Sequence, residues 1–380
     1  MIKVRKIKLA ILVNVVAPYR VPVYREIARA FDARIFVSGV ESNRPDWDGC
    51  RLQEEPYRVK KSWGYTFKLN KKFNGSFFDY KFLHFNPGYL MDLFRFSPDA
   101  IISNEMGFRS IAAIIYGMFF RKPVWLWWGG TLHTERTVGA AKRAVRSIFA
   151  RVVRRWISYG ETSTEYLLSI GVPRDRILQI QNCVDEQIYS RDIKPAFDIH
   201  PKPVLLFVGQ MIDRKGIEPL LETVAVLQKE GYNFSLFIVG DGPRREDYKR
   251  LAQQLGLTNA WFHSSVKPDE MPAVYQSANC LVFPTLEDVW GLVVNEALLS
   301  GIPVLSSVYA GCAKEIIPEA YQFDPLYPGS LDSTIRLFLQ GELRHPGKPA
   351  LMSVKEVAVL IIKDVVDCLS FKKLGKGEDE

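Results

Sequence analysis

Short, continuous apolar runs alternate with longer segments of helical periodicity along both halves of this chain. That pattern restricts the fold to parallel sheets covered by helices, an α/β architecture. Strands buried on both faces are apolar throughout, because neither side meets water. In the first half, 8–16 reads as a strand, 21–30 as a helix, and 33–38 and 100–103 as strands. A helix over 110–120 precedes a strand at 123–128. A long basic helix over 140–155 then leads to a strand at 156–159 and a helix over 162–170, stopped by Gly171 and Pro173. The second half reads strand 204–208, helix 217–230, strand 235–239, helix 244–255, a short strand near Trp261 and a helix over 271–276. Strand 280–283, helix 292–300 and strand 303–306 complete it. Between Arg191 and Pro203 the pattern lapses into a polar, proline-rich connector. The expected organisation is therefore two Rossmann-like domains, 1–190 and 204–352, joined by a linker at 191–203. A C-terminal helix within 353–380 is apolar at helical spacing, is expected to cross back to the N-terminal domain, and ends in a polar tail.

With 380 residues the chain is too long for one ordinary core, which agrees with two domains of about 180 residues each. Its 47% hydrophobic and 24% charged residues exclude a disordered chain. Five scattered cysteines without a C-x-x-C pair argue against a disulfide framework or a zinc site, and for a reducing cytoplasm. The basic N-terminus runs into the apolar stretch 9–16, which is read as a first buried strand because no small-residue cleavage site follows. The apolar stretch 111–120 falls short of the ~20 residues that span a bilayer.

The net charge of +8 is unevenly placed. Residues 58–82 interleave lysines and arginines with aromatics, and 142–155 place Lys142, Arg143, Arg146, Arg151, Arg154 and Arg155 on one helix. Such surfaces can lie on an anionic membrane or be plain solvated faces. No nucleic-acid reading motif accompanies them, so no nucleic acid is expected as a partner.

Ligands of open parallel sheets bind beyond the carboxyl ends of the strands, where glycine-rich turns meet helix N-termini. Three turns of the second half fall there. Gly209-Gln210-Met211-Ile212-Asp213-Arg214-Lys215-Gly216 brings two cations to a strand–helix mouth and suits a diphosphate, or is an ordinary charged loop. Val239-Gly240-Asp241-Gly242-Pro243 lacks the G-x-G-x-x-G spacing and reads first as a tight turn. In the third, Asp288 precedes Glu296 by eight positions, and Gly291 opens a helix whose Leu292 and Val293 amides lack intrahelical partners. Amides and the helix dipole attract phosphate while carboxylates accept hydrogen bonds from polyols. A capping residue and a solvated helix residue are the plain alternative.

At these residues the chain resembles the retaining glycosyltransferases of the GT-B fold, glycosyltransferase family 4, most strongly over 204–318. The family's Glu-x7-Glu motif stands here as Asp288-x7-Glu296, followed by Gly301-Ile302-Pro303-Val304. Gln181-Asn182-Cys183-Val184-Asp185 resembles the family's Pro-Asn-Gly-Val-Asp. The resemblance implies a cleft between the domains, a nucleoside diphosphate sugar as donor, an acceptor-side N-terminal domain, and neither cofactor nor metal. It implies that Glu296 binds the ribose, Asp288 faces the donor sugar, and the Leu292 and Val293 amides meet the distal phosphate. Gly209, Gln210, Trp290 and Gly291 complete the donor side, and Arg214 with Lys215 neutralises the leaving diphosphate. Gln210 stands where the family often has Arg, and Asp288 is one methylene shorter than Glu. Trp127-Trp128-Gly129-Gly130-Thr131-Leu132-His133 resembles the loop whose His contacts the donor sugar, and Tyr19, Arg20 and Glu105 fall on the acceptor or phosphate side. Glycan or lipid-linked acceptors, and a cytoplasmic protein peripheral to the inner face of the membrane, are the implied partners and location. A nucleotide-sugar 2-epimerase, or a non-catalytic glycan- or lipid-binding subunit, is the alternative on the same fold.

Overall fold

The computed structural model of the chain describes residues 6–39, 56–73, 76–343 and 350–374, with side chains of 69–82 and 371–374 outside the description. Packing divides it into two units, Met1–Leu69, Tyr80–Cys183 and Met352–Glu380 in the first, and Asn70–Asp79 and Val184–Leu351 in the second.

In the first unit β1 (Lys8–Val13) is buried at every residue after Lys8. It leads through α1 (Val21–Ala30) to β2 (Asp32–Val37) and β3 (Arg58–Lys61). A hairpin, β4 (Tyr65–Phe73) and β5 (Ser76–Phe85), comes next, its Asn70–Asp79 portion counted with the second unit. Then come α2 (Gly88–Phe96), β6 (Ala100–Asn104), α3 (Phe108–Phe119), β7 (Val124–Trp128), α4 (Ala140–Val152), β8 (Arg155–Tyr159), α5 (Gly160–Ser169) and β9 (Ile177–Ile180). The parallel sheet runs β3-β2-β1-β6-β7-β8-β9, so the strand order reverses between β1 and β6. Alternate side chains divide its two faces. Leu9, Ile11, Val13, Trp125 and Trp127 pack against α1 and the chain's last helix. Ala10 and Leu12 pack against α2 and α3, and Leu126 and Trp128 against α4 and α5.

The second unit carries the short α6 (Glu186–Tyr189), then β10 (Val204–Val208), α7 (Ile217–Lys229), β11 (Ser235–Val239), α8 (Arg245–Gln254), β12 (Ala260–His263) and α9 (Met271–Tyr275). It continues with β13 (Cys280–Phe283), α10 (Leu292–Leu299), β14 (Val304–Ser307), α11 (Ala313–Ile316), β15 (Gln322–Phe323) and α12 (Ser330–Leu339). Its sheet order is β12-β11-β10-β13-β14-β15, with every pairing parallel.

The last helix, α13 (Val354–Leu374), belongs to the first unit. Val357, Ile361 and Val365 are fully buried against α1. Asp364 accepts hydrogen bonds from Trp125 Nε1 at 2.5 Å and from Arg155 Nη1 at 2.8 Å.

Two departures from the sequence reading have physical causes. Part of 58–82, read as a basic-aromatic surface, forms β3 and the hairpin. β3 is an edge strand with charged, exposed residues, and a search for apolar runs passes over it. Lys60 is paired with Asp92 at 2.5 Å, while Trp63, Tyr65 and Phe67 are exposed; the aromatics and lysines of 69–82 lie outside the described side chains. The second is the basic helix. Arg146 is 3% exposed, ion-paired with Glu135 and bonded to Tyr166 Oη at 2.7 Å, and Arg155 is taken by Asp364. Two of that cluster's six cations are therefore structural. Among the described residues no helix is long and apolar enough to cross a membrane.

Candidate functional site

The three glycine-bearing turns of the second unit pack on one another at the carboxyl ends of β10, β11 and β13. Gly209 N donates to Val239 O at 3.1 Å and Met211 N to Asp241 O at 2.9 Å. Gly240 and Gly242 have a reason beyond a tight turn: a Cβ on either would lie 1.9 Å from Gly209 O or 2.5 Å from Met211 O. Leu286 N and Thr285 Oγ1 both bond to Arg214 O, at 2.8 and 3.1 Å, which joins the first turn to the third. Gly216, at φ 70°, passes so close to Pro284 that a Cβ would sit 2.0 Å from its carbonyl oxygen.

This lacing brings Arg214, Lys215 and Asp288 together. Lys215 Nζ lies 2.5 Å from Asp288 Oδ2 and 5.2 Å from the centre of the Phe283 ring. Arg214 Nη1 donates to Glu287 O at 3.1 Å and stands 3.7 Å from the same Asp288 oxygen. The other carboxylate oxygen accepts the Trp290 amide at 3.2 Å. Burial by itself would raise the Asp288 pKa; Lys215 and Arg214 outweigh it and hold the carboxyl below its ordinary range. Asp288, expected to face a sugar, has both oxygens engaged within the chain. One methylene shorter than Glu, it meets the lysine directly.

Gly291 caps α10 at φ 100°, where a Cβ would press on the Phe283 ring at 2.6 Å, and no side chain caps the helix. The first turn, without a side-chain cap, holds Leu292 and Val293, both half-buried. Trp290 departs from that reading. It is 1% exposed and gives its indole N–H to Asn295 Oδ1 at 2.8 Å, so it is a core support of the turn and offers no face to a ligand. Gly209 and Gln210 are half-buried in the first turn.

Glu296 stands about 6 Å further along α10 than Leu292. Its Oε2 accepts the Tyr275 hydroxyl at 2.7 Å, and the Tyr189 hydroxyl bonds to the same carboxyl. Neither tyrosine was anticipated; both come from short helices far along the chain, with no local spacing to reveal them. Burial pushes the Glu296 carboxyl up to about 7, and the two tyrosine hydrogen bonds only moderate the rise. The folded chain thus keeps a proton that the unfolded chain loses near pH 4.5. Stability drawn from this group is then lost as the pH climbs from about 4.5 to about 7. Glu296→Gln should flatten that decline; an unchanged slope of Tm against pH in this window would show that the carboxyl titrates normally.

In the first unit, Glu105 follows β6 with a left-handed backbone, φ 60°, and its exposed carboxylate takes Arg109 Nη2 at 2.8 Å. Arg109 also bonds to Asn104 O at 2.6 Å and to the Asn14 side chain, tying the segment after β6 to the one after β1. His133 is half-buried in the β7–α4 loop. That loop is held by Thr131 N to Thr134 Oγ1 at 2.9 Å, the return bond at 3.2 Å, and the buried Glu135–Arg146 pair. Tyr19 is half-buried, whereas Arg20 is 3% exposed, in the corner between Trp127 and Tyr159. The site residues thus fall into a cationic group in the second unit, a tyrosine–carboxyl group on α10, and separate positions in the first unit.

Residues 190–348 match the family model for glycosyl transferases group 1. A 2-deoxystreptamine glucosyltransferase of Streptomyces kanamyceticus is 36% identical over 103 residues, 27% of each chain. An uncharacterized glycosyltransferase of Methanocaldococcus jannaschii is 34% identical over 191 residues, 47% of this chain and 48% of its own. The chain thus spans about half or less of the curated relatives it matches most strongly. The solved structure of the Anabaena protein HepE in complex with UDP aligns over 98% of this chain and 100% of its own at 16% identity, with a TM-score of 0.67. The chain therefore has the two-Rossmann GT-B fold, and its second unit carries the glycosyl transferases group 1 pattern.

Proposed function

We propose that the chain is a retaining glycosyltransferase that moves a sugar from a nucleoside diphosphate donor to a hydroxyl acceptor without a metal ion. The observation that carries this reading is the meeting of Arg214, Lys215 and Asp288 beside the uncapped, glycine-led N-terminus of α10, on a segment with the glycosyl transferases group 1 pattern. Two cations and free amides on rigid turns match the charge that grows on a departing diphosphate.

In this mechanism the incoming diphosphate takes over the Lys215 ammonium from Asp288, and the released carboxylate turns to the donor sugar. Glu296 grips the ribose. As the anomeric carbon–oxygen bond to the diphosphate breaks, the acceptor oxygen bonds to that carbon on the same face. The acceptor proton passes to the departing phosphate oxygen, so no separate base is needed. His133 serves the sugar, and Tyr19, Arg20 and Glu105 the acceptor side. HepE was solved with UDP and with UDP-glucose, which makes uridine donors the first to try.

Thermal unfolding against a panel of UDP-, GDP- and ADP-sugars, with and without EDTA, tests the reading. A donor at 100 times its dissociation constant stabilises by about 2.7 kcal/mol, a shift of several degrees, and the shift should survive EDTA. A panel that moves nothing, with no nucleoside diphosphate released on adding acceptors, would sink the proposal. An epimerised donor appearing without acceptor would point to the epimerase alternative. The implied peripheral location, on the inner face of the membrane, rests on α4. There Val145, Ile148 and Val152 are exposed beside the exposed Arg143 and Arg151. Co-sedimentation with anionic but not zwitterionic vesicles is the expected result; indifference to both removes it.

A further inference from the structure

Arg20 is charged and buried, and among the described residues no carboxylate pairs with it. It is 3% exposed, and its Nε and Nη2 atoms have no hydrogen-bond partner. These two nitrogens share one edge of the guanidinium, the edge that grips a carboxylate or phosphate through two parallel hydrogen bonds. Around it stand Trp127, with its ring centre 4.2 Å from Cζ, Tyr159 at 4.7 Å and Tyr19 at 5.4 Å. Trp127 Nε1 is likewise buried without a partner. Burial pushes the hydroxyls of Tyr24 and Tyr159 up, so these neighbours stay neutral and supply no compensating charge.

The position compounds the imbalance. Arg20 is the N-cap residue of α1, which has no side-chain cap and carries Pro22 in its first turn. A cation there faces the positive end of the helix dipole, the reverse of what a helix start favours. The corner lies at the carboxyl ends of β1, β7 and β8, on the ligand-binding edge of the sheet, beside the strand-order reversal at β1. Aromatic walls fix the guanidinium plane, and a buried cation left alone is among the costliest features a fold can keep. A fold that retains one has a use for its missing partner.

We propose that Arg20, with Trp127 and the start of α1, forms an oxyanion site in the first unit that receives a phosphate or carboxylate group borne by the acceptor. This rests on the glycosyltransferase reading for the word acceptor, and on the geometry alone for the anion. Every residue that builds the site belongs to the first unit, whereas Lys215 belongs to the second.

The test uses the full chain labelled with 15Nε-arginine, the Arg20 Nε–H signal being assigned by its loss in Arg20→Lys. Inorganic phosphate, glycerol phosphate and acetate are titrated separately, and Tm is followed for wild type and Arg20→Gln. The expected result is a saturable shift of the Arg20 signal with glycerol phosphate or with acetate. The same compound should raise Tm in wild type and bind roughly tenfold or more weakly to Arg20→Gln, since a charge-assisted pair of hydrogen bonds is lost. Glycerol phosphate acting more strongly than inorganic phosphate marks an ester group, and acetate marks a carboxylate. Inorganic phosphate acting alone overturns the assignment to an acceptor. An Arg20 signal that no compound moves overturns the site itself, whether or not Arg20→Gln folds, and so does a response undiminished in that variant. UDP, GDP and ADP serve as controls. If the oxyanion acts through Arg20 while no nucleotide binds, the site stands and the glycosyltransferase reading fails; the converse result reverses the two.

Discussion

Lys215→Ala is expected to lower turnover at saturating donor by about 10²–10³-fold, the loss seen when one fixed electrostatic contact to a developing oxyanion is removed. The lysine, 2.5 Å from Asp288 and beside the Phe283 ring, passes to the diphosphate when the donor binds, so little reorganisation remains when the charge develops. The same change leaves Asp288 half-buried with only Arg214, at 3.7 Å, to balance it, and unpairing a buried charge of this kind costs about 3–5 kcal/mol when no other cation helps. Stability and catalysis must therefore be separated. Lys215→Ala combined with Asp288→Asn removes the stranded charge. Its Tm should recover most of the loss while its turnover stays low. If the double variant regains turnover together with Tm, Lys215 acts on the fold and not on the leaving group.

Ile361→Ala should destabilise the first unit by about 2–5 kcal/mol, the range for emptying a fully buried aliphatic position. Ile361 sits on α13, hundreds of residues along the chain from the α1 surface it fills, yet no solvent reaches it. Lys363, two positions on and exposed, is the control, and its change to Ala should stay within about 0.5 kcal/mol. Urea unfolding of both variants reads the difference. Equal, small effects would mean that α13 lies loosely on the first unit and contributes little to its core.

The doubly covered strands were legible because burial on both faces leaves an unbroken apolar run, as in β1 and β10. Elements that face water were not: β3 carries three cations on a sheet edge, and α2 was passed over entirely. Gly216, Gly240 and Gly291 were visible as turn residues, but the neighbours that forbid a side chain there come from other loops. Arg146 shows the limit most plainly. It belongs to a run of basic residues on a helix and reads as a surface charge, yet Glu135 and Tyr166 draw it inside.

What the sequence determined by itself is the kind of fold and the chemistry on its turns, since periodicity records burial and residue type records charge. Those are local properties, written at every position. Tertiary structure alone decided the partners: Asp288 for Lys215, Tyr275 and Tyr189 for Glu296, and aromatic rings for Arg20. Each of these depends on which loops meet at a sheet edge. That is settled by the packing of elements distant in sequence, where side chains compete for the same space and the same charge.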